Sequence, residues 1–255
     1  MSFTTLLKIT NDILQALDSG NVSLLALLDL SSAFDTIDYN ILLKRLKDTY
    51  GINNVPLSWI SSYLSDRTQV VTTKKHNSLP STLNYGVPQG SVLGPILFLL
   101  YTKPINSITS SHNISSQSFA DDTQIQDSCS IDKIHDSISK VENCVSDVKD
   151  WMTANKLKLN AEKTEVLLIH SKYKKLPNSC PTSLSIAGNE IAFSEEARNL
   201  GVFFTNTLDM DKHVTRICRS AYHELRKIAS VRHLLTIEAT KNLVCCYVFF
   251  KIRLL

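Results

Sequence analysis

Acidic residues end two apolar segments that lie far apart in the chain. Asp121 and Asp122 directly follow a short apolar stretch, and Asp29 follows the apolar residues 22–28. Neighbouring carboxylates at the tip of a β-hairpin repel each other, and a bound divalent cation removes that repulsion. Hard cations such as Mg²⁺ prefer carboxylate oxygen as a ligand. Two strands that each deliver an acid at their end could therefore build a two-metal phosphoryl-transfer site.

A segment rich in glycine and proline lies between these acids. Residues 86–95, GVPQGSVLGP, contain three of the chain's seven glycines and two of its seven prolines. Such a density indicates a constrained backbone that approaches another group closely. A simpler alternative is an elaborate turn into the next helix, but an ordinary turn does not need this many special residues.

Three segments, taken in order and spacing, resemble the core motifs of reverse transcriptases, above all those of non-LTR (LINE-type) retrotransposons. They are LDLSSAFD at 28–35, GVPQGSVLGP at 86–95 and FADD at 119–122. The resemblance runs from about residue 6 to residue 255. It implies an RNA-directed DNA polymerase whose partners are an RNA template, a DNA primer and dNTPs. It also implies two Mg²⁺ ions as cofactors, with Mn²⁺ as the alternative metal.

The resemblance assigns the acids distinct roles. Asp29 and Asp121 are implied as the metal ligands, and Asp122 belongs to the catalytic site in a more peripheral position. For Asp29 alone, a role as a turn or helix cap would be the ordinary interpretation. Asp35 is expected to be structural, and Asp38 is expected to cap the following helix.

The same resemblance implies a nucleotide-binding group made of Ala33, Phe34, Gln89 and Gly90. Phe34 would act as a steric gate, since its ring would fill the space that a ribose 2′-OH needs, and this hydroxyl distinguishes RNA precursors from DNA precursors. The alternative for Phe34 is a core aromatic. Gln89 would lie beside the incoming nucleotide and the template base, and Gly90 would let the backbone approach them.

Two further segments match weaker family motifs. LNAEKT at 159–164 makes Lys163 the candidate general acid that protonates the leaving pyrophosphate, although a surface lysine before a strand is a serious alternative. NLGV at 199–202 resembles the primer grip, in which Gly201 would permit a tight bend beneath the primer. Phe119 would pack beneath the primer terminus, with plain core packing as its alternative.

Hairpins occur alongside alternating strands and helices, which predicts an α+β fold with helices on one face of a largely antiparallel sheet. The resemblance implies a polymerase palm over residues 1–206, with a residual fingers helix at its start, and a partial helical thumb over residues 207–255. Apolar periodicity predicts helices at residues 6–17, 39–50, 56–64, 93–101 and 131–155 and from 212 onward. Strands are predicted up to Asp29 and at 69–73, 82–85, 116–120, 123–126, 163–170, 184–187, 190–193 and 200–204, with Gly188 and Asn189 as a hairpin turn.

Charge is distributed unevenly along the chain. Residues 207–255 carry nine Lys or Arg and four Asp or Glu, a net +5, which leaves −2 for residues 1–206 of the total of +3. A mildly acidic body followed by a basic tail suits a polyanionic partner. A solvated helical face is an equally good explanation of this charge.

The six cysteines form no Cys-x-x-Cys pair and no spacing with histidine that completes a zinc site. Free thiols in a reducing compartment are therefore expected, with Cys245 and Cys246 in the core. No signal peptide is recognised, and the longest apolar run, residues 243–250, is too short to span a bilayer. These features predict an intracellular protein without a membrane partner, in the nucleus or the cytoplasm, and leave the oligomeric state open.

Two other functions compete with a retrotransposon polymerase. One is a nucleic-acid-binding remnant without turnover, and the other is a right-hand polymerase of the group II intron or telomerase type. The resemblance begins after most of the fingers region of the family, so a fragment that extends primers poorly or not at all is expected. Apolar palm surface near residues 93–101 should then be exposed.

Overall fold

The computed structural model of the chain describes residues 2–74, 76–174, 176–186 and 188–252. The α-helices are α1 Ser2–Asp18, α2 Tyr39–Asp48, α3 Asn54–Leu64, α4 Leu93–Thr102, α5 Ile105–Ser111, α6 Ile134–Ala154, α7 Asp211–Val231, α8 Ile237–Val244 and α9 Phe250–Ile252. The strands are β1 Val22–Leu28, β2 Thr68–Gln69, β3 Ser81–Thr82, β4 Ser115–Phe119, β5 Asp122–Cys129, β6 Glu165–Ile169, β7 Ser183–Ile186, β8 Asn189–Ala192, β9 Glu196–Asn199 and β10 Val202–Thr205.

A four-stranded sheet in the order β4-β5-β1-β6 forms the centre of the fold, and its neighbouring strands are all antiparallel. Strand β1 lies inside the sheet, so its backbone bonds to β5 on one side and to β6 on the other. The register pairs Leu27 with Gln124 and Leu28 with Thr123. The predicted α+β fold with an antiparallel sheet is confirmed.

Both faces of this sheet are covered, which explains why β1 is an uninterrupted apolar run. Alternate residues of β1, such as Leu24, pack into a large core with helices α2, α4 and α6. Leu25 points to the opposite face, where it packs with Ile13 of α1 and Phe204 of β10. Helices were expected on one face only, and the structure adds α1 and the β9–β10 hairpin on the other.

Tight hairpins connect the smaller strands. Asn199 pairs with Val202, so Leu200 and Gly201 form the two-residue turn between β9 and β10, with positive φ of 48° and 96°. Two positive φ angles are typical of a type I′ turn, whose twist matches that of the strands. The turn between β7 and β8 is one residue earlier than predicted, because Asn189 already pairs with Ile186 in the ladder. Residue 187, predicted to end a strand, lies outside the described residues.

The predicted helices are confirmed, with ends that shift by a few residues. The Asp38 carboxylate caps α2, since its Oδ1 accepts the Ile41 amide at 3.0 Å. Residues 68–69 and 81–82 pair over a much shorter stretch than predicted. Val92 and Ile96 are exposed, as expected for the apolar surface beside α4.

The C-terminal part is helical from α7 onward, with a break before Thr236, which caps α8. Arg253 of the basic tail lies outside the described residues.

The six cysteines are free thiols. Cys245 and Cys246 are exposed, so their predicted place in the core is wrong, because the turn of π-helix at Cys245–Phe249 buries Val248 instead. Among the described residues, no helix is long and apolar enough to cross a membrane.

Candidate active site

The three candidate acids meet where β1 ends and the β4–β5 hairpin turns. Phe119 pairs with Asp122, so Ala120 and Asp121 are the two turn residues, and Ala120 has a φ of 52°. Asp29 comes directly after β1. Because Leu28 pairs with Thr123 in antiparallel register, Asp29 and Asp122 are the next positions on the two strands.

Asp29 and Asp122 line the same cavity of about 120 Å³. Side chains two positions apart on a strand share a face, which places both acids on the face that carries the β9–β10 hairpin. The Asp29 Oδ2 atom is buried and accepts no hydrogen bond from the described residues. A buried carboxylate oxygen without a donor is unfavourable, so this atom marks a position where a cation fits.

Mutual repulsion within the acid cluster acts on Asp122. Partial burial of its carboxyl raises the pKa of Asp122, although the residue as a whole is exposed, and the charges of Asp121 and Asp29 raise this pKa further. A divalent cation between these groups would reverse the shift, because an opposite charge favours the ionised form.

The donor set fits Mg²⁺ rather than a metal held by the protein alone. Within the described ranges, no group of three or more His, Cys, Asp or Glu side chains could hold a metal ion. Mg²⁺ is commonly bound through one or two carboxylates together with substrate phosphates and water. A pair of aspartates with one unsatisfied buried oxygen meets that requirement.

A second cavity, of about 410 Å³, adjoins the hairpin tip. Its lining includes Asp121 together with the four residues predicted to bind the nucleotide, namely Ala33, Phe34, Gln89 and Gly90. The structure therefore brings those four residues to one place. It also separates the paired acids, since Asp121 faces this cavity and Asp122 faces the smaller one.

The wall of the larger cavity depends on a close backbone contact. The Val87 amide donates to the Phe34 carbonyl at 2.8 Å, and the Gly86 amide donates to the Ile37 carbonyl at 2.9 Å. A Cβ atom on Gly86 would lie 2.8 Å from the Asp35 Cα, so glycine is required there. The close approach inferred from the glycine-rich sequence is confirmed, and at this position the approached group is the chain itself.

Phe34 is half-buried in this wall, and its ring centroid lies 4.9 Å from that of Phe98. Gln89 is exposed at the rim, where its Nε2 donates to both carboxylate oxygens of Asp35, at 3.0 and 3.1 Å. Gly90 has a φ of +77°, with open space where a Cβ would stand. A ligand can therefore approach the backbone at Gly90.

Comparison with known proteins decides the family. The family model described as "Reverse transcriptase (RNA-dependent DNA polymerase)" matches residues 4–204. The chain belongs to the reverse transcriptase family. The "Probable RNA-directed DNA polymerase from transposon BS" of Drosophila melanogaster is 25% identical over 247 residues, which cover 92% of this chain and 26% of that protein. The "RNA-directed DNA polymerase from mobile element jockey" of the same species is 25% identical over 82% of this chain and 22% of its own length.

These relatives confirm the predicted likeness to non-LTR (LINE-type) reverse transcriptases, and the chain spans about a quarter of their length. Among solved structures, the telomerase of Candida tropicalis in complex with the TWJ fragment of telomeric RNA aligns with a TM-score of 0.53. That alignment has 14% sequence identity and covers 97% of this chain and 40% of the telomerase. It shows a shared fold, that of the right-hand polymerases.

The remaining predicted residues of the reverse transcriptase motifs lie close to these cavities or on the hairpins beside them. Lys163 is exposed and lines the smaller cavity with Asp29 and Asp122. Phe119 is partly exposed at the end of β4. Gly201 forms the tight bend that its motif predicted, in the turn after β9.

Sequence reasoning missed several residues around the smaller cavity. Its lining also contains Gln124, Glu165, Arg198 and Asn199. Asn199 had a signal, because it opens the NLGV segment that resembles the primer grip. Gln124 lies two residues after Asp122 on the same strand, and a two-residue alternation along the predicted strand could have found it. Glu165 and Arg198 come from β6 and β9 and reach the acids only through the packing of strands, which no local pattern in the sequence reveals.

Proposed function

We propose that this chain is the catalytic domain of an RNA-directed DNA polymerase, in which a primer 3′-OH attacks a dNTP and releases pyrophosphate. One observation carries the proposal: Asp29, whose Oδ2 is buried and accepts no hydrogen bond from the described residues, lines a cavity together with Asp122. Asp121, the residue before Asp122, lines the larger cavity. Membership of the reverse transcriptase family supports it.

Mg²⁺ is the proposed cofactor, bound as two ions by Asp29 and Asp121, with Mn²⁺ as a substitute. When bound, the two ions lower the pKa of the attacking hydroxyl and neutralise charge on the triphosphate. The aspartates would position the ions and supply negative charge to bind them. Positioning and electrostatic stabilisation are nearly all that a protein contributes to phosphoryl transfer. Asp122 adds charge at the side of the site that faces the β9–β10 hairpin.

The larger cavity is the proposed dNTP site. Phe34 would exclude a ribose 2′-OH, since its ring stands at the cavity wall and is braced by Phe98. Gln89 would contact the new base pair from the rim. Gly90 would let the sugar or base approach the backbone closely, because nothing occupies the space beside it.

Three further residues are assigned to the leaving pyrophosphate and to the primer. Lys163 is the proposed general acid for pyrophosphate, since it is exposed at the mouth of the cavity that holds Asp29. Gly201 is the proposed bend of a primer grip. Phe119 is proposed to contact the primer terminus, because it precedes the hairpin tip on which Asp121 lies.

The palm is proposed to comprise residues 1–206 and a partial thumb residues 207–255. The third apolar cluster supports this division, since its members, such as Ala221, Ile228 and Val248, all come from the C-terminal helices. An RNA template and a DNA primer are the proposed partners of these two parts.

Nucleic-acid binding without turnover is the second candidate function. Helix α7 presents exposed cations, including Arg219 and Arg226, to solvent. Such a surface binds a polyanion without sequence preference, and its affinity falls with salt.

Primer extension on poly(rA)/oligo(dT) separates the two functions. We expect weak extension with Mg²⁺, as for a domain without most of the fingers, none with EDTA, and none for Asp29→Asn or Asp121→Asn in protein that still binds the duplex. Extension by the variants equal to that of the wild type would refute the assigned site. Salt-sensitive binding without any metal-dependent extension would establish the second candidate.

A further inference from the structure

Two buried side-chain amides face each other between the central sheet and the β9–β10 hairpin. Gln124 Nε2 donates to Asn199 Oδ1 at 2.6 Å, and Asn199 Nδ2 donates to Gln124 Oε1 at 2.9 Å. Each residue is 2% exposed. The two hydrogen bonds are reciprocal and join positions 75 residues apart in the chain.

Such a pair fixes geometry more strictly than an apolar contact does. A buried amide that loses its partner is destabilising, and a fully satisfied buried polar pair specifies one arrangement of the elements that it joins. Both hydrogen bonds between Gln124 and Asn199 can form together only when the β9–β10 hairpin has one distance from the sheet and one orientation relative to it. The apolar packing of Phe204 holds the β9–β10 hairpin against the sheet, and the amide pair adds a directional constraint on where its turn lies.

The pair also lies at the proposed catalytic centre. Gln124 is two residues after Asp122 on the same face of β5, and Asn199 immediately precedes the turn formed by Leu200 and Gly201. Asp29, Asp122 and both amides line one cavity. The hydrogen bonds thus connect the strand that carries a catalytic acid to a turn whose Leu200 lines the same cavity as the acids.

We infer that the Gln124–Asn199 pair is a positioning element that holds the primer's 3′ end at the correct height over the catalytic acids, an inference that rests on the proposed polymerase function. Neither side chain takes part in the chemistry. The turn at Leu200 and Gly201 would support the terminal primer nucleotide. The amide pair keeps this turn from shifting along β5 when the primer moves on by one nucleotide.

The decisive variant replaces both amides with apolar groups of similar volume, Gln124→Leu with Asn199→Leu. Replacing both partners avoids the unpaired amide of each single variant and keeps the fold near wild-type stability. The exchange variant, Gln124→Asn with Asn199→Gln, keeps two amides and the summed side-chain length. Gln126→Leu is the matched control, since Gln126 is a buried amide of the same strand that bonds to Ser23 and does not line this cavity.

Each protein is tested with a primer carrying 2-aminopurine at its 3′ end, paired to an RNA template. We expect the double-leucine variant to keep its thermal midpoint and duplex affinity, to alter the 2-aminopurine fluorescence, and to lose about 10-fold or more in single-turnover extension, since small misplacements of reacting groups have such effects. The exchange variant should recover most of the rate, and Gln126→Leu should match the wild type.

Wild-type fluorescence and rate in the stable double-leucine variant would refute the positioning role while leaving the proposed function intact. A rate loss that merely parallels a loss of stability, and that the exchange variant does not restore, would refute it as well. If the wild-type protein neither extends the primer nor changes the 2-aminopurine signal, the proposed function fails and the inference fails with it.

Discussion

Gly86 lies directly against the backbone of Asp35. A Cβ atom built on Gly86 would be 2.8 Å from the Asp35 Cα and 2.9 Å from its carbonyl oxygen, and the φ of Gly86 is +82°. These two segments form one wall of the proposed nucleotide cavity, in which Phe34 precedes Asp35 and Gln89 follows Gly86 by three residues. The position of the steric gate relative to Gln89 therefore depends on a contact that only glycine permits.

Gly86→Ala should destabilise the protein by about 2–6 kcal/mol, because backbone strain and overpacking each cost roughly 1–3 kcal/mol. Urea unfolding measures the change. Gly20→Ala is the matched control, since Gly20 has a similar φ of +77° but open space around it, and strain alone should cost roughly 1–3 kcal/mol. Equal losses in the two variants would show that the contact with Asp35 carries no energy.

Asp122 should make the metal-free protein less stable as pH rises. The pKa of Asp122 is raised in the folded state by partial burial and by the charges of Asp121 and Asp29. The folded state therefore binds the proton more tightly than the unfolded state, whose Asp has a pKa of about 3.9. Stability falls as pH increases from that value through the raised one.

The change Asp122→Asn should accordingly raise the thermal midpoint in EDTA at neutral pH and have no effect below about pH 3.5, under the unfolded pKa. Asp48→Asn is the control, and it should lower the thermal midpoint at neutral pH. A hydrogen bond from Lys44 lowers the pKa of Asp48, so the ionised Asp48 stabilises the folded state. A thermal midpoint that Asp122→Asn leaves unchanged at neutral pH would mean that neither burial nor the neighbouring acids raise the pKa of Asp122.

Phe34→Val should admit ribonucleotides, because it removes the ring from the wall of the cavity. We expect the preference for dNTP over rNTP in single-turnover extension to fall roughly 10- to 100-fold, the range over which a pocket discriminates by shape. Phe34→Tyr keeps the ring and should retain the preference. Unchanged discrimination in Phe34→Val would make Phe34 a core residue that supports Phe98.

Local patterns were sufficient to predict the strand and the hairpin that carry the acids, since β1 is an apolar run before Asp29 and the hairpin tip contains the distinctive segment FADD. Strand β9 was missed because its sequence, Glu-Ala-Arg-Asn, offers a single apolar side chain, Ala197. Its hydrogen bonds come from β10 and its burial comes from the sheet. The Gln124–Asn199 pair was missed for the same reason, since each amide alone is typical of a polar surface and becomes buried only through tertiary contact.

The metal assignment gives the last prediction. Asp29 shares the smaller cavity with Asp122, whereas Asp121 lines the larger one with Phe34 and Gln89. We predict that Asp121 is nevertheless the ligand that shares ions with Asp29, because a metal that also holds a triphosphate must face the cavity proposed for the nucleotide. Asp122, on the other side of the hairpin tip, would act mainly through its charge.

Mn²⁺ titration followed by electron paramagnetic resonance, with dNTP and a primer–template duplex present, tests whether Asp121 or Asp122 shares the ions with Asp29. Asp29→Asn and Asp121→Asn should each weaken Mn²⁺ binding by more than about 10-fold, since even the loss of outer-shell partners costs roughly 10- to 100-fold. Asp122→Asn should weaken it less. If Asp122→Asn has the larger effect, the shared site lies in the smaller cavity, and Asp122 rather than Asp121 completes it with Asp29.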